Sequence, residues 1–204
     1  TPSGRTDAGV HAKGQVVSFD WPVAVPLDCY ALKGALNGIT PRQIAILEVY
    51  PVAPEFHARF SARRKCYEYR ILNRLAPHTN LQYPAWHVPS RLDWKTMQAI
   101  ACLYRGTHDF DAFKASDANQ KTSVRTIYVS ELTKVADNEI VYTVIGGGFL
   151  KQMVRIMVGT MVDAGMGLLS IENVSQLLEN NSQRKMAGKT APGRGLTLNW
   201  VSYD

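Results

Sequence analysis

The feature that most limits what this chain can fold into is a run of apolar residues at helical spacing: Leu150, Met153, Val154, Met157, Val158, Met161 and Val162. Positions that recur every three to four residues form one stripe along a helix, predicted here over residues 149–164 and entered through Gly146, Gly147 and Gly148. Such a stripe must be buried against a second layer. The residues just before it supply one. Residues 124–135 and 139–145, joined through Asp137 and Asn138, read as a β-hairpin.

The other segments fit the same plan. Strands are predicted over 14–19, with Val16 and Val17 buried, and over 44–50 between prolines. Residues 65–73 alternate, with Tyr67, Tyr69 and Ile71 on one face and Glu68 and Arg70 on the other. A last strand spans 196–203. Asp28 can cap a helix that runs to Leu36 and ends at Asn37-Gly38, and Ser170 can cap another through Leu178. Residues 93–104 form an amphipathic helix with Trp94, Met97, Ile100, Ala101 and Tyr104 on one stripe. Residues 21–26 break the chain, 77–89 form an irregular connection, and 106–113 form a turn holding Phe110 and Phe113. The stretch 116–123 reads as a polar, mobile connection and 180–195 as a basic loop. Without a strict βαβ rhythm, the class is α+β with a largely antiparallel sheet flanked by helices. No linker divides the 204 residues; 1–90 and 91–204 are at most an approximate subdivision.

Charge narrows the partner. A net charge of +6 and a pI near 9.3 favour a polyanion. The three cysteines, Cys29, Cys66 and Cys102, have no CxxC spacing, which argues against a disulfide framework and for a reducing compartment. His11, His78, His87 and His108 show no ligand spacing, so no metal is expected. No apolar run has the length of a membrane span.

Four stretches hold residues suited to chemistry. In the first, Gly4-Arg5-Thr6-Asp7-Ala8-Gly9-Val10-His11-Ala12, a carboxylate sits in a turn between two glycines. An Asp-Ala-Gly of this kind is more often a plain surface turn. In the second, His57-Ala58-Arg59-Phe60-Ser61-Ala62 leads through Arg63, Arg64 and Lys65 into Tyr67 and Tyr69. Cations ahead of an aromatic strand suit phosphates and a stacked base. They equally suit an edge strand kept soluble by charge, with both tyrosines in the core. In the third, Arg155 lies about 120° from the centre of the apolar stripe, at roughly 100° per residue, and Gly159 is its neighbour one turn on. A glycine there admits another backbone and shields the guanidinium, which suits a fixed pairing with a carboxylate; a solvated arginine beside a packing glycine is the alternative. The fourth, residues 190–198, is a turn entering a strand.

Taken together, Gly-Arg-Thr-Asp-Ala-Gly-Val-His-Ala with Gly14-Gln15-Val16-Val17, the His-Ala-Arg-Phe-Ser-Ala stretch, residues 149–159 and the Gly195-Leu196 segment resemble, in order, four motifs of the TruA family of tRNA pseudouridine synthases. The resemblance runs from the first residue to the last. It implies the pseudouridine synthase fold, with a central RNA-binding cleft, and an isomerase that converts uridine to pseudouridine at the positions called 38 to 40 of the tRNA anticodon stem-loop. It makes Asp7 the catalytic carboxylate, as nucleophile or as base, and Arg155 its partner. Tyr67 is the residue that stacks on a flipped-out uracil, while Leu196 packs against that base and Arg5 fills the vacated space or grips the adjacent phosphate. Arg59, Arg63, Arg64, Lys65, Arg184, Lys185, Lys189 and Arg194 are candidates to hold the RNA backbone. Tyr69 belongs to the core.

The resemblance further implies a homodimer sharing one tRNA, no cofactor or metal, and a bacterial cytoplasmic or organellar setting. It also implies a first strand, a Gly- and aromatic-rich stretch and a helix ahead of the Asp7 loop, which the sequence given does not include. Two other classes of function stay open. One is a tRNA-binding fragment without catalysis; the other is a hydrolase using Asp7 and His11 as acid and base.

Overall fold

A computed structural model describes residues 1–22, 25–80, 83–118, 121–179 and 182–204. Its centre is the predicted hairpin. Strands β5 (Val124–Ala136) and β6 (Glu139–Gly146) pair antiparallel across Asp137-Asn138. Along β6, Tyr142 and Val144 face inward with no exposure, as alternation requires. Beside β6 runs β2 (Arg64–Leu72), with Tyr69 opposite Tyr142 and Ile71 opposite Ile140. On its other side β2 takes β7 (Leu196–Ser202), which places Leu196 opposite Tyr69.

Three short strands complete the sheet. β1 (His11–Ala12) pairs parallel with β7, β3 (Trp86–His87) pairs parallel with the end of β2, and β4 (Gly106–Asp109) closes the far edge against β5. Among the described residues the order is β1-β7-β2-β6-β5-β4, with β3 on β2. The class is therefore α+β with a mostly antiparallel sheet, and strands from both halves of the chain share it.

Of the helices α1 (Cys29–Ile39), α2 (Trp94–Leu103), α3 (Met153–Gly165) and α4 (Ile171–Gln176), α3 is central. Every residue of α3 except Arg155 is buried. The stripe expected on one face thus became burial on all sides, because the sheet, α2 and the segment leading to β7 enclose the helix. α3 also begins at Met153 rather than 149. Gln152 takes a left-handed conformation (φ 61°), which ends the approach and starts the helix afresh. Met97, Ile100, Ala101 and Tyr104 of the α2 stripe are buried against it. Asp93 caps α2 and Ser170 caps α4 with a capping box.

The first fifty residues depart furthest from expectation. Residues 14–19 are not a strand: beyond β1 there is one bridge, Val17 to Pro2, and Val17 is 57% exposed. Its backbone bonds run mainly to residues 1–3, Ser3 N–H to Val16 O and Ser18 N–H to Thr1 O, while Gly14 N–H reaches the Leu198 carbonyl and Ser18 Oγ accepts from Ala58 N–H, which makes no ladder. Among the described residues, 44–50 pair with no strand either. The Asn37 side chain takes both bonds of Ile46 instead, accepting from its N–H and donating to its carbonyl. Asn37 therefore does not end α1, which Asp28 caps as expected but which continues to Ile39 with no buried residue.

Two connections are more ordered than expected. Residues 106–113 form β4 and a 3-10 turn (Asp111–Phe113), with Phe110 and Phe113 fully buried, and 77–89 contains β3. In 116–123, Asp117 pairs with Lys151 at 2.5 Å. Residues 23–24, 81–82, 119–120 and 180–181, which fall in the predicted break and loops, lie outside the described residues.

Candidate active site

The Asp7 loop is a turn closed by Val10 N–H donating to the Asp7 carbonyl at 3.0 Å, with Gly9 in the left-handed region (φ 77°). Polar groups hold it from below. Ser3 is fully buried, its hydroxyl donates to Gln15 Oε1 at 2.6 Å, and Gln15 Nε2 donates to the Gly4 carbonyl at 2.9 Å. Lys65 Nζ donates to the Ser3 carbonyl. Burial, and secondly the Arg59 charge, hold the Lys65 ammonium below the usual lysine range. A lysine expected to face phosphate is turned onto the loop instead.

Arg155 Nη1 donates to Asp7 Oδ2 at 2.5 Å, with side-chain exposures of 15% and 29%. The arginine is anchored a second time, through Nε to the Ala191 carbonyl at 2.8 Å, while Ala191 N–H donates back to the Arg155 carbonyl at 3.1 Å. This close approach depends on Gly159, where a Cβ would lie 1.7 Å from the Lys189 carbonyl oxygen. The segment 188–195 is thereby threaded between α3 and the Asp7 loop. A Cβ on Gly193 would fall 2.6 Å from the Ala8 carbonyl oxygen. The Tyr69 hydroxyl, fully buried, donates to the Pro192 carbonyl at 2.7 Å and secures the same segment from the sheet side.

Tyr67 lies one pleat along β2 from Tyr69, on the same face and partly exposed. Its ring meets Phe149 edge-on at 5.1 Å, and its hydroxyl lies 3.6 Å from where a Cβ on Gly4 would sit. Burial first, and then the Asp7 charge, push its phenol up to about 12, so the ring is neutral over the working range. Leu196, 7% exposed, is opposite Tyr69 and directly follows the segment that supports the Asp7 loop. Asp7, Arg155 and Tyr67 are thus brought together, with Leu196 on the adjoining strand opposite Tyr69.

The cations divide into two groups. Arg5, Arg59, Arg63, Arg64, Lys185 and Arg194 are exposed, with Arg59 over the Phe60 ring and Arg64 over Tyr128. Arg184 is turned inward: it donates to the Gly188 carbonyl at 2.9 Å and to Thr190 Oγ1 at 3.0 Å, so its guanidinium closes its own loop. Lys189 is exposed too, with 51% of its side chain accessible, but its ammonium is directed at Asp163, 3.2 Å away. Strand alternation and local charge do not reveal such internal partners. Nor did they reveal Ser3, Gln15 and Phe149; a small polar residue and a glutamine flanking a glycine turn were the one available signal. Among the described residues, no group of three or more His, Cys, Asp and Glu is placed to hold a metal ion, and no helix is long and apolar enough to cross a membrane.

Chemically, this is a carboxylate fixed by an arginine, next to a neutral phenol and an apolar side chain, with exposed cations nearby. The sequence profile of a family described as tRNA pseudouridine synthase matches residues 100–204. Similar chains include a tRNA pseudouridine synthase A of Halalkalibacterium halodurans, 44% identical over 96% of this chain and 73% of that one. Those of Acetivibrio thermocellus (42%, over 98% of this chain and 80% of that one) and Pelobacter propionicus (46%, 98% and 81%) carry the same description.

Proposed function

The chain belongs to the tRNA pseudouridine synthase family, a family of isomerases, and from that premise we propose that it acts on uridine at positions 38 to 40 of the anticodon stem-loop with Asp7 as the reacting carboxylate. The reaction is an isomerisation. The bond from ribose C1′ to uracil N1 breaks, the base turns, and C1′ bonds to C5. The C5 hydrogen leaves as a proton, N1 gains one, and the mass is unchanged. Asp7 serves as nucleophile at the ribose or as base. Either role requires a carboxylate that is ionised, fixed and close to the sugar.

The observation that carries this reading is the two-point anchoring of Arg155, which holds Asp7 Oδ2 at 2.5 Å while itself tied to Ala191. A target base in a stem must leave its stack, which costs a few kcal/mol. The neutral, partly exposed ring of Tyr67 suits the stacking that receives it, and Leu196 covers the other side. Arg5, exposed and without an ion pair among the described residues, takes the vacated space or the adjacent phosphate. Arg59, Arg63, Arg64, Lys185 and Arg194 hold the backbone. A homodimer in bacterial cytoplasm is the setting this reading adopts, in keeping with the bacterial sources of the relatives.

The test is release of tritium from tRNA labelled at uracil C5, with Asp7→Ala beside the unaltered chain. Release by the unaltered chain that falls at least a thousandfold in the variant is expected. Equal release by both removes Asp7 from the reaction. Salt-sensitive tRNA binding without any release identifies a binding fragment, and cleaved RNA identifies a hydrolase.

A further inference from the structure

Lys189 sits in the basic stretch before the last strand, where gripping a phosphate is the natural first reading. Its surroundings point elsewhere. Its backbone N–H donates to Asp163 Oδ2 at 3.0 Å, and its ammonium lies 3.2 Å from Asp163 Oδ1. The same ammonium stands 5.4 Å from the centroid of the Trp86 ring, which packs edge-on against Tyr69. One residue earlier, Gly188 N–H donates to Thr160 Oγ1 at 2.9 Å. The Lys189 carbonyl fills the space that Gly159 leaves open.

Asp163 explains why this cation is committed. It lies on α3 with only 12% of its side chain exposed, and its Oδ1 has no directed hydrogen bond. The Lys189 ammonium is the charge beside that atom. A buried carboxylate deprived of its cation is strongly disfavoured. A phosphate drawn to Lys189 would also bring its negative charge toward the same carboxylate.

We propose that Lys189 and Asp163 form a latch that fixes the segment 188–195 on α3 and, through it, the position of Asp7; Lys189 is a positioning residue and not an RNA contact. The path is short. Two residues beyond the latch, the Ala191 carbonyl accepts from Arg155 Nε and the Ala191 N–H donates to the Arg155 carbonyl. Two residues further, Gly193 lies against the Ala8 carbonyl. Loosening the segment at 189 frees the guanidinium that holds Asp7 and the backbone that supports its loop.

This rests on the reading of Asp7 as the reacting carboxylate, so its test is built to fail separately. Lys189→Ala, Asp163→Asn and the double variant are compared by tritium release and by tRNA binding at several salt concentrations. Each single variant is expected to lose at least tenfold in kcat, with KM within twofold and an unchanged salt slope. The double variant should lose no more than the worse single. If Lys189 instead holds a phosphate, Lys189→Ala raises KM and reduces the salt slope by about one, and Asp163→Asn is harmless; that result overturns the latch.

Hydrogen exchange gives a second readout that needs no turnover. In Lys189→Ala the amides of Ala191 and Val10 should exchange at least tenfold faster, while those of β5 and β6 are unmoved. Unchanged protection at Ala191 and Val10 overturns the proposal even where the unaltered chain shows no turnover, an outcome that counts only against the catalytic reading.

Discussion

Arg155 makes two hydrogen bonds in different directions, one from Nη1 to Asp7 and one from Nε to the Ala191 carbonyl. A lysine has one ammonium on a flexible stem and cannot reproduce that fork. Arg155→Lys should therefore lower the rate of tritium release by about tenfold or more while the melting temperature shifts by only a few degrees. An active Arg155→Lys would show that charge alone, without the second anchor, positions Asp7. This pairing was legible through the family resemblance of residues 149–159; the place of Arg155 off the apolar stripe and the space beside Gly159 suited a paired or a solvated arginine alike. Lys65 was not legible in the same way. Its alternation gave a place on the strand, but its bond to the Ser3 carbonyl joins residues 62 positions apart.

At the scale of elements, β2, β5, β6, β7 and the capped helices α2 and α4 follow from local pattern, because each meets a partner that buries its apolar side. Residues 14–19 and 44–50 carry the same kind of pattern and fail as strands. Alternation records which face of a strand is apolar, not whether a neighbour exists to pair with it. Between them, α1 has a good cap and eleven residues, yet none is buried, and Tyr30 and Ile39 are each more than 80% exposed. An isolated helix of that length is marginal in water. Its amides should consequently exchange about a hundredfold faster than those of the β5–β6 hairpin, and limited proteolysis should cut first between residues 20 and 56. Equal protection in α1 and β5 would mean that the exposed apolar residues are covered in solution.

For the molecule as a whole, burial leaves a signature in its response to alkali. Tyr67, Tyr69, Tyr104 and Tyr142 all have phenols pushed above the ordinary value of 10.0 by burial, Tyr67 to about 12 and the others further. Above pH 10 the unfolded chain releases these protons while the folded protein retains them. The unfolded state then binds fewer protons, so stability falls as pH rises. The contribution is fully present below about pH 10 and is lost progressively toward and beyond pH 12. A titration followed by tyrosinate absorbance and circular dichroism should show the exposed tyrosines ionising first. The buried ones should follow in a cooperative step coincident with loss of structure. Smooth, independent ionisation of all nine tyrosines would contradict a core built on these rings.

Asp7 and Arg155 are 148 residues apart, and the strand that continues the Asp7 loop pairs with β7, His11 against Thr197. A ribosome therefore makes Asp7 long before the residues that support it. Throughout most of synthesis Asp7 has neither its guanidinium nor the strand beside its loop. A nascent chain halted before residue 196 can hold a finished hairpin and α3 while lacking the wall formed by β7. On the proposed reading of Asp7, competence for chemistry waits for β7, so a translation product halted before that strand is expected to release no tritium however much else it has folded.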